Sequence, residues 1–230
     1  MEEGANAKVK RLFPTIKIRH YDPFVLLDEF FVDSKGGFPT HPHRGFEAIT
    51  YMIKGSFQHK DNLGNNTTVS DGGIQRFTAG KGLTHSEMPK EDGINHGFQL
   101  WINLPKHLKN IEPDYQQVDS GDIPETSDNG IFIRTIVGEG SPVKLHTSIQ
   151  YQDITLSEGK SYPIKLLSDY IGIIYLVDGL LTEGDIHLNQ GEALFLPNGD
   201  SLSIEGESRF ILLMGRPHNE PIKQWGPYVD

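Results

Sequence analysis

Two short stretches hold the residues best suited to chemistry: FPTHPHRGFE, residues 38–47, and TAGKGLTHSEMP, residues 78–89. Each sets two potential metal ligands one residue apart, His41 and His43 in the first and His85 and Glu87 in the second. Side chains at i and i+2 of a strand project from the same face. If the two strands are neighbours, or face each other across a barrel, three imidazoles and a carboxylate converge. Neutral imidazole and carboxylate are good donors to first-row divalent metals, and burying such a group without a cation is costly. Ten histidines along the chain could produce either pair by chance. Together, in Gly-rich strand segments of the same half, they read as a metal site with His41, His43, His85 and Glu87 as ligands. Four protein ligands on a metal that takes six leave positions open, as catalytic sites require. Fe(II) suits that arrangement first, with Mn, Co, Ni, Cu or Zn as alternatives. The other histidines, His20, His59, His96, His107, His146, His187 and His218, lack comparable partner spacing and read as surface or structural residues.

The elements that must position these residues read as short strands. FEAITYMI, GFQLWINL, IFIRTIVG, YIGIIYLV, EALFLP and RFILLMG are rich in β-branched and aromatic residues and bounded by Gly, Asn, Asp or Pro. Regular short strands with turn signals between them predict an all-β fold of sandwich or barrel type. Residues 119–130, DSGDIPETSDNG, are acidic and turn-rich and read as an inter-domain linker between an N-terminal barrel, 1–118, and a C-terminal one, 131–230. The two halves repeat each other at an offset of 124: His41, His43 and Glu47 precede a strand ending at Gly55, and Lys165, Leu167 and Ile171 precede one ending at Gly179. The second copy has lost the polar residues.

Composition bounds the function. With 21 basic and 31 acidic residues the formal charge is −10, which opposes direct binding to nucleic acid or to anionic membranes. Cysteine is absent, so disulfides, thiolate nucleophiles and Cys-based zinc sites are excluded. No apolar run approaches the roughly 20 residues of a membrane span, and the first residues lack a secretory pattern. A cytoplasmic protein is the expectation.

DPFVLLDEF, GGFPTHPHRGFEAITYMIKG, FTAGKGLTHSEMP, HGFQLWINLP and EPIKQWGPYVD, in this order, resemble segments of the pirin family of the cupin superfamily. The resemblance implies a bicupin: two antiparallel cupin-type β-barrels packed face to face, with metal only in the first and the C-terminal tail returning toward it. It implies His41, His43, His85 and Glu87 as the ligands, and leaves Glu47 a hydrogen-bonding or supporting role. In the second copy, Leu202 stands where a cupin histidine is expected. The family is also similar to quercetin 2,3-dioxygenases. That likeness implies a small aromatic substrate opened with O₂, Glu87 as general base, and Phe38, Phe46, Phe98 and Gln99 as candidate pocket residues. Two other readings remain at this level: a redox-sensitive co-regulator that binds a protein partner, and a cupin enzyme for an unrelated small molecule.

Overall fold

The structure, a computed structural model, describes residues 1–230, with all side chains except those of Glu2, Glu3 and Ala5. The chain forms two compact all-β units. The first comprises residues 1–122, 143–147 and 218–230, and the second residues 123–142 and 148–217. Among the described residues, no helix is long and apolar enough to cross a membrane.

The first unit contains β1 (Glu2–Glu3), β2 (Ala5–Phe13), β3 (Phe24–His43), β4 (Phe46–Lys54), β5 (Phe57–Asp61), β6 (Asn66–Val69), β7 (Ile74–Thr78), β8 (Leu83–Pro89), β9 (Ile94–Asn103) and β10 (Asp114–Val118). They form one sheet in the order β10-β7-β4-β9-β3-β8-β5-β6, with β2 added on β3 and β1 on β2. Its two ends meet: the Tyr115 and Thr67 hydroxyls lie 2.6 Å apart, and Gln117 Nε2 donates to the Thr68 carbonyl at 3.0 Å. Joining the end strands leaves a nearly closed barrel and removes most exposed sheet edge.

The twenty-residue β3 changes partner along its length. Phe24 to Asp33 pair with β9, whereas Phe38 to His43 pair with β8. A register shift between Phe38 and His41 separates Phe38↔Glu87 from His41↔His85, and such a bulge bends a strand. Consequently the HPH and HSE segments become adjacent antiparallel strands.

The returning segments lock onto this unit. Glu47 accepts hydrogen bonds from the His146 and Thr147 backbone N–H groups at 3.0 and 3.1 Å and from Thr78 Oγ1 at 3.0 Å. The tail ends in the hairpin β21 (Gln224–Trp225) and β22 (Tyr228–Val229). Lys109 Nζ ties it down by donating to the Gly45 and Val229 carbonyls and to Asn103 Oδ1, at 2.9, 2.9 and 2.7 Å. Gly45 must be glycine here: its φ is +84° and a Cβ would lie 1.9 Å from the Val229 carbonyl oxygen.

Of the residues read as a linker, 119–130, Ser120–Asp122 form a 3-10 turn at the end of the first unit's main segment, and Glu125–Asp128 form strand β11 of the second unit. This strand turns through Asn129 and Gly130, both at positive φ, to pair with β12 (Ile131–Val137). An Asn-Gly pair at positive φ suits a two-residue hairpin turn, so the turn-rich composition marks a hairpin rather than open chain. The remaining strands are β13 (Ile149–Leu156), β14 (Ser161–Lys165), β15 (Ile171–Gly179), β16 (Leu181–Glu183), β17 (Ile186–Leu188), β18 (Ala193–Leu196), β19 (Ser201–Glu205) and β20 (Ser208–Gly215). They make two sheets, β11-β12-β13-β20-β15-β18 and β14-β19-β16-β17. The 124-residue offset has a structural counterpart. β4 lies between β7 and β9, β15 lies between β18 and β20, and Gly55 and Gly179 share φ values of +86° and +85°. The core of this unit is aliphatic, built on Ile154, Leu156, Ile174, Leu176, Ile204 and Leu212. Lys165 and Leu167 are exposed, and Leu202 packs against that core.

Candidate metal centre

Strand register brings the first-half histidines together. His41 sits directly opposite His85, and His43 joins them because it shares a face with His41. The ring centroids are 4.6 Å apart for His41 and His43, 4.6 Å for His41 and His85, and 4.9 Å for His43 and His85. One nitrogen from each lies within 4.8 Å of the others. Among the described residues this is the one group of three or more His, Cys, Asp or Glu side chains so arranged.

The ring nitrogens are already sorted. His41 Nδ1 donates to the Pro39 carbonyl at 2.7 Å, and His43 Nδ1 to the Pro227 carbonyl of the tail at 3.4 Å. A carbonyl only accepts, so each Nδ1 carries a proton, and in the neutral ring each Nε2 has the lone pair. His41 Nε2 and His85 Nε2 lie 3.1 Å apart. Nitrogens about 2.1 Å from one ion and at right angles around it would be about 3 Å apart, so the residues fit a shared cation. Burial pushes the His43 imidazole down to about 3, aided by repulsion from His41 and opposed by the Pro227 carbonyl. Burial and the neighbouring histidines likewise hold His85 well below its ordinary value. Both rings are therefore neutral donors at pH 7.

Of the cluster, His41 and His43 lie on the wall of a cavity of about 730 Å³ that is also lined by Phe38, Glu87, Gln99 and Trp101. Glu87 is buried and shares this cavity, but it is not part of the 4.8 Å group. Its Oε1 accepts from Thr50 Oγ1 at 2.8 Å and its Oε2 from Gln99 Nε2 at 3.2 Å. Of the other pocket candidates, Phe38 and Gln99 line the cavity, whereas Phe46 and Phe98 do not. Alternation along β9 explains the second: Gln99 and Trp101 face inward, so Phe98 points into the opposite packing layer. Phe46 is fully buried, stacked on Trp101 at 4.2 Å and edge-on to His43 at 5.1 Å. It supports the site from behind.

Glu47 is turned to the segment 146–147 rather than to the cavity. Burial pushes its carboxyl up, against the hydrogen bonds donated to it. Glu47→Ala strands two buried donors, the Thr147 N–H and the Thr78 hydroxyl, and each costs about 1–3 kcal/mol when unsatisfied. We expect urea unfolding to show a loss of about 2 kcal/mol or more, with metal uptake by the folded variant unchanged. Equal stability of the variant and the parent would contradict this role.

Reading the sequence by ligand spacing overlooked a second layer. His59 Nδ1 lies 3.3 Å from His85 Nδ1, and His59 Nε2 lies 3.0 Å from Asp61 Oδ2. Burial pushes the Asp61 carboxyl up, but hydrogen bonds from Asn65 and His59 outweigh it and hold the group below its ordinary value. His59 and Asp61 are themselves an i, i+2 pair, so the spacing signal was present in FQHKD.

A nearly closed antiparallel barrel with histidines clustered on its inner wall, followed by a second β unit of matching strand order, defines a cupin-type protein with a candidate metal centre. The chain belongs to the pirin family. Residues 6–102 match the family model described as Pirin, and residues 151–230 that of the Pirin C-terminal cupin domain. A pirin-like protein of Arabidopsis thaliana is 42% identical over 251 residues, covering 100% of this chain and 80% of the relative. Pirin of Homo sapiens is 36% identical over 245 residues, covering 99% and 83%. A crystal structure of quercetin 2,3-dioxygenase from Acinetobacter baumannii superposes with a TM-score of 0.92 at 29% identity, covering 100% of this chain and 87% of that one.

Proposed function

We propose that the protein is a metal-dependent dioxygenase of quercetinase type, opening a flavonol-like ring with O₂, and that His41, His43, His85 and Glu87 hold the ion, Fe(II) by preference. The observation that carries this reading is the convergence of three imidazoles, two of which, His41 and His43, line an aromatic-walled cavity of about 730 Å³. Its likeness to a quercetin 2,3-dioxygenase supports the choice of substrate class. When bound, a redox-active divalent ion supplies acidity to a hydroxyl it touches and an electron route to O₂. The chain supplies the rest. Phe38 and Trp101 offer flat apolar surface to an aromatic ring and exclude water from it. The Glu87 carboxylate accepts the proton of the substrate's 3-hydroxyl as general base. Thr50 and Gln99 orient that carboxylate through their hydrogen bonds.

The test is direct. Protein loaded separately with Fe(II), Ni(II) and Mn(II) should bleach the flavonol absorbance of quercetin and consume O₂, whereas His41→Ala should do neither. Absence of bleaching with all three metals would sink the dioxygenase reading for this substrate.

A further inference from the structure

We infer that the buried pair His59 and Asp61 is a positioning device for the metal centre, holding the proton of His85 on Nδ1 so that its Nε2 lone pair is presented to a divalent ion. The inference rests on reading the histidine cluster as a metal site, and concerns residues outside that cluster.

The proton on each ring is placed by what the neighbouring atom can accept or donate. For His41 and His43 the Nδ1 partner is a carbonyl, which cannot donate. His85 differs, because its Nδ1 faces another imidazole nitrogen at 3.3 Å. An imidazole nitrogen either donates or accepts. Were His59 to carry its proton on Nδ1, it would donate to His85, whose own proton would move to Nε2 and block the nitrogen 3.1 Å from His41. Asp61 prevents this. Its Oδ2 lies 3.0 Å from His59 Nε2, and an ionised carboxylate only accepts. The proton of His59 is thereby held on Nε2, its Nδ1 accepts, and His85 must donate.

The surroundings fix each member of the chain. Asp61 is anchored by the Leu63 and Asn65 backbone N–H groups and by Asn65 Nδ2, at 3.0, 2.9 and 2.8 Å. The His59 ring stacks on Tyr115 at 4.2 Å, and that tyrosine is tied to Thr67. The side chains of His59 and Asp61 are 1% and 0% exposed, so bulk water does not replace either partner. A carboxylate acting through a hydrogen bond on a ligating imidazole also strengthens it as a donor.

Two variants separate proton placement from packing. Phenylalanine at 59 keeps an aromatic ring against Tyr115 but neither donates nor accepts, whereas glutamine accepts through Oε1 and donates through Nε2. Ni(II) affinity, measured by chelator competition on variants whose fold is checked by circular dichroism, should fall roughly 10- to 100-fold in His59→Phe. His59→Gln should recover most of that loss. In addition, ¹⁵N spectra of the parent, metal-free and Zn(II)-loaded, should place the His59 proton on Nε2. Parent-like affinity in His59→Phe, equal weakness in His59→Gln, or a proton on His59 Nδ1 would each overturn the inference. A parent that takes up no Ni(II) would remove the metal reading and the inference together, whereas the first three outcomes leave the metal reading standing.

Discussion

His43→Ala should abolish the thermal stabilisation that a divalent metal confers on the parent. An ion that binds only the folded state at a free concentration a thousand times its dissociation constant stabilises by about 4 kcal/mol. For a chain of this length each kcal/mol moves the unfolding midpoint by roughly 2–4 °C, so the parent should gain roughly 8–16 °C. Of the three histidines, His43 makes the sharpest test: it is 4% exposed and packed against Phe46, Phe77 and Trp101, rings that offer no lone-pair nitrogen in its place. Calorimetry of parent and variant with and without Ni(II) checks this. A variant that keeps more than half of the parent's shift would mean that His43 is not a ligand.

Acid should destabilise the metal-free protein through the same residues. Burial lowers His43 from 6.5 to about 3, and His85 shifts in the same direction. Between those pH values the unfolded chain binds a proton that the folded chain refuses, so stability rises with pH across the window. The contribution is complete above about pH 6.5 and is lost progressively toward about pH 3. The slope is about 1.4 kcal/mol per pH unit for His43 alone, so at pH 4.5 that residue costs about 3 kcal/mol, to which His85 adds. Urea unfolding in a chelator, from pH 7.5 to 4.5, should give a steep fall for the parent and a shallower one for His43→Leu. Identical slopes in the two proteins would refute the assignment.

Several features were legible in the chain because they depend on local periodicity. The i, i+2 spacing of His41 with His43 and of His85 with Glu87 specifies a shared face on any strand, and the β-branched and aromatic runs specify the strands themselves. The repeat at 124 residues was legible because β4 and β15 are strands of the same length and closing glycine. Other features were hidden. Glu87 stands opposite Phe38 because of a bulge whose position no spacing rule supplies, and its oxygens meet Thr50 and Gln99 from two other strands. Read by composition, Phe46, Phe98, Phe38 and Gln99 were equivalent pocket candidates. Only the face each occupies separates the cavity wall from the layer behind it.

By itself, then, the order of residues determined which side chains could ligate a metal, that they lie on strands, and that Lys165, Leu167 and Ile171 stand at the corresponding places of the second half. Tertiary structure decided the proton positions of that site. His85 meets His59 because β5 and β8 are neighbours, and His43 meets the Pro227 carbonyl because a tail 184 residues away returns to the first unit. Period-2 geometry acts between residues a few positions apart, whereas these partners are set by strand order and tail docking, which depend on the burial of the whole unit at once.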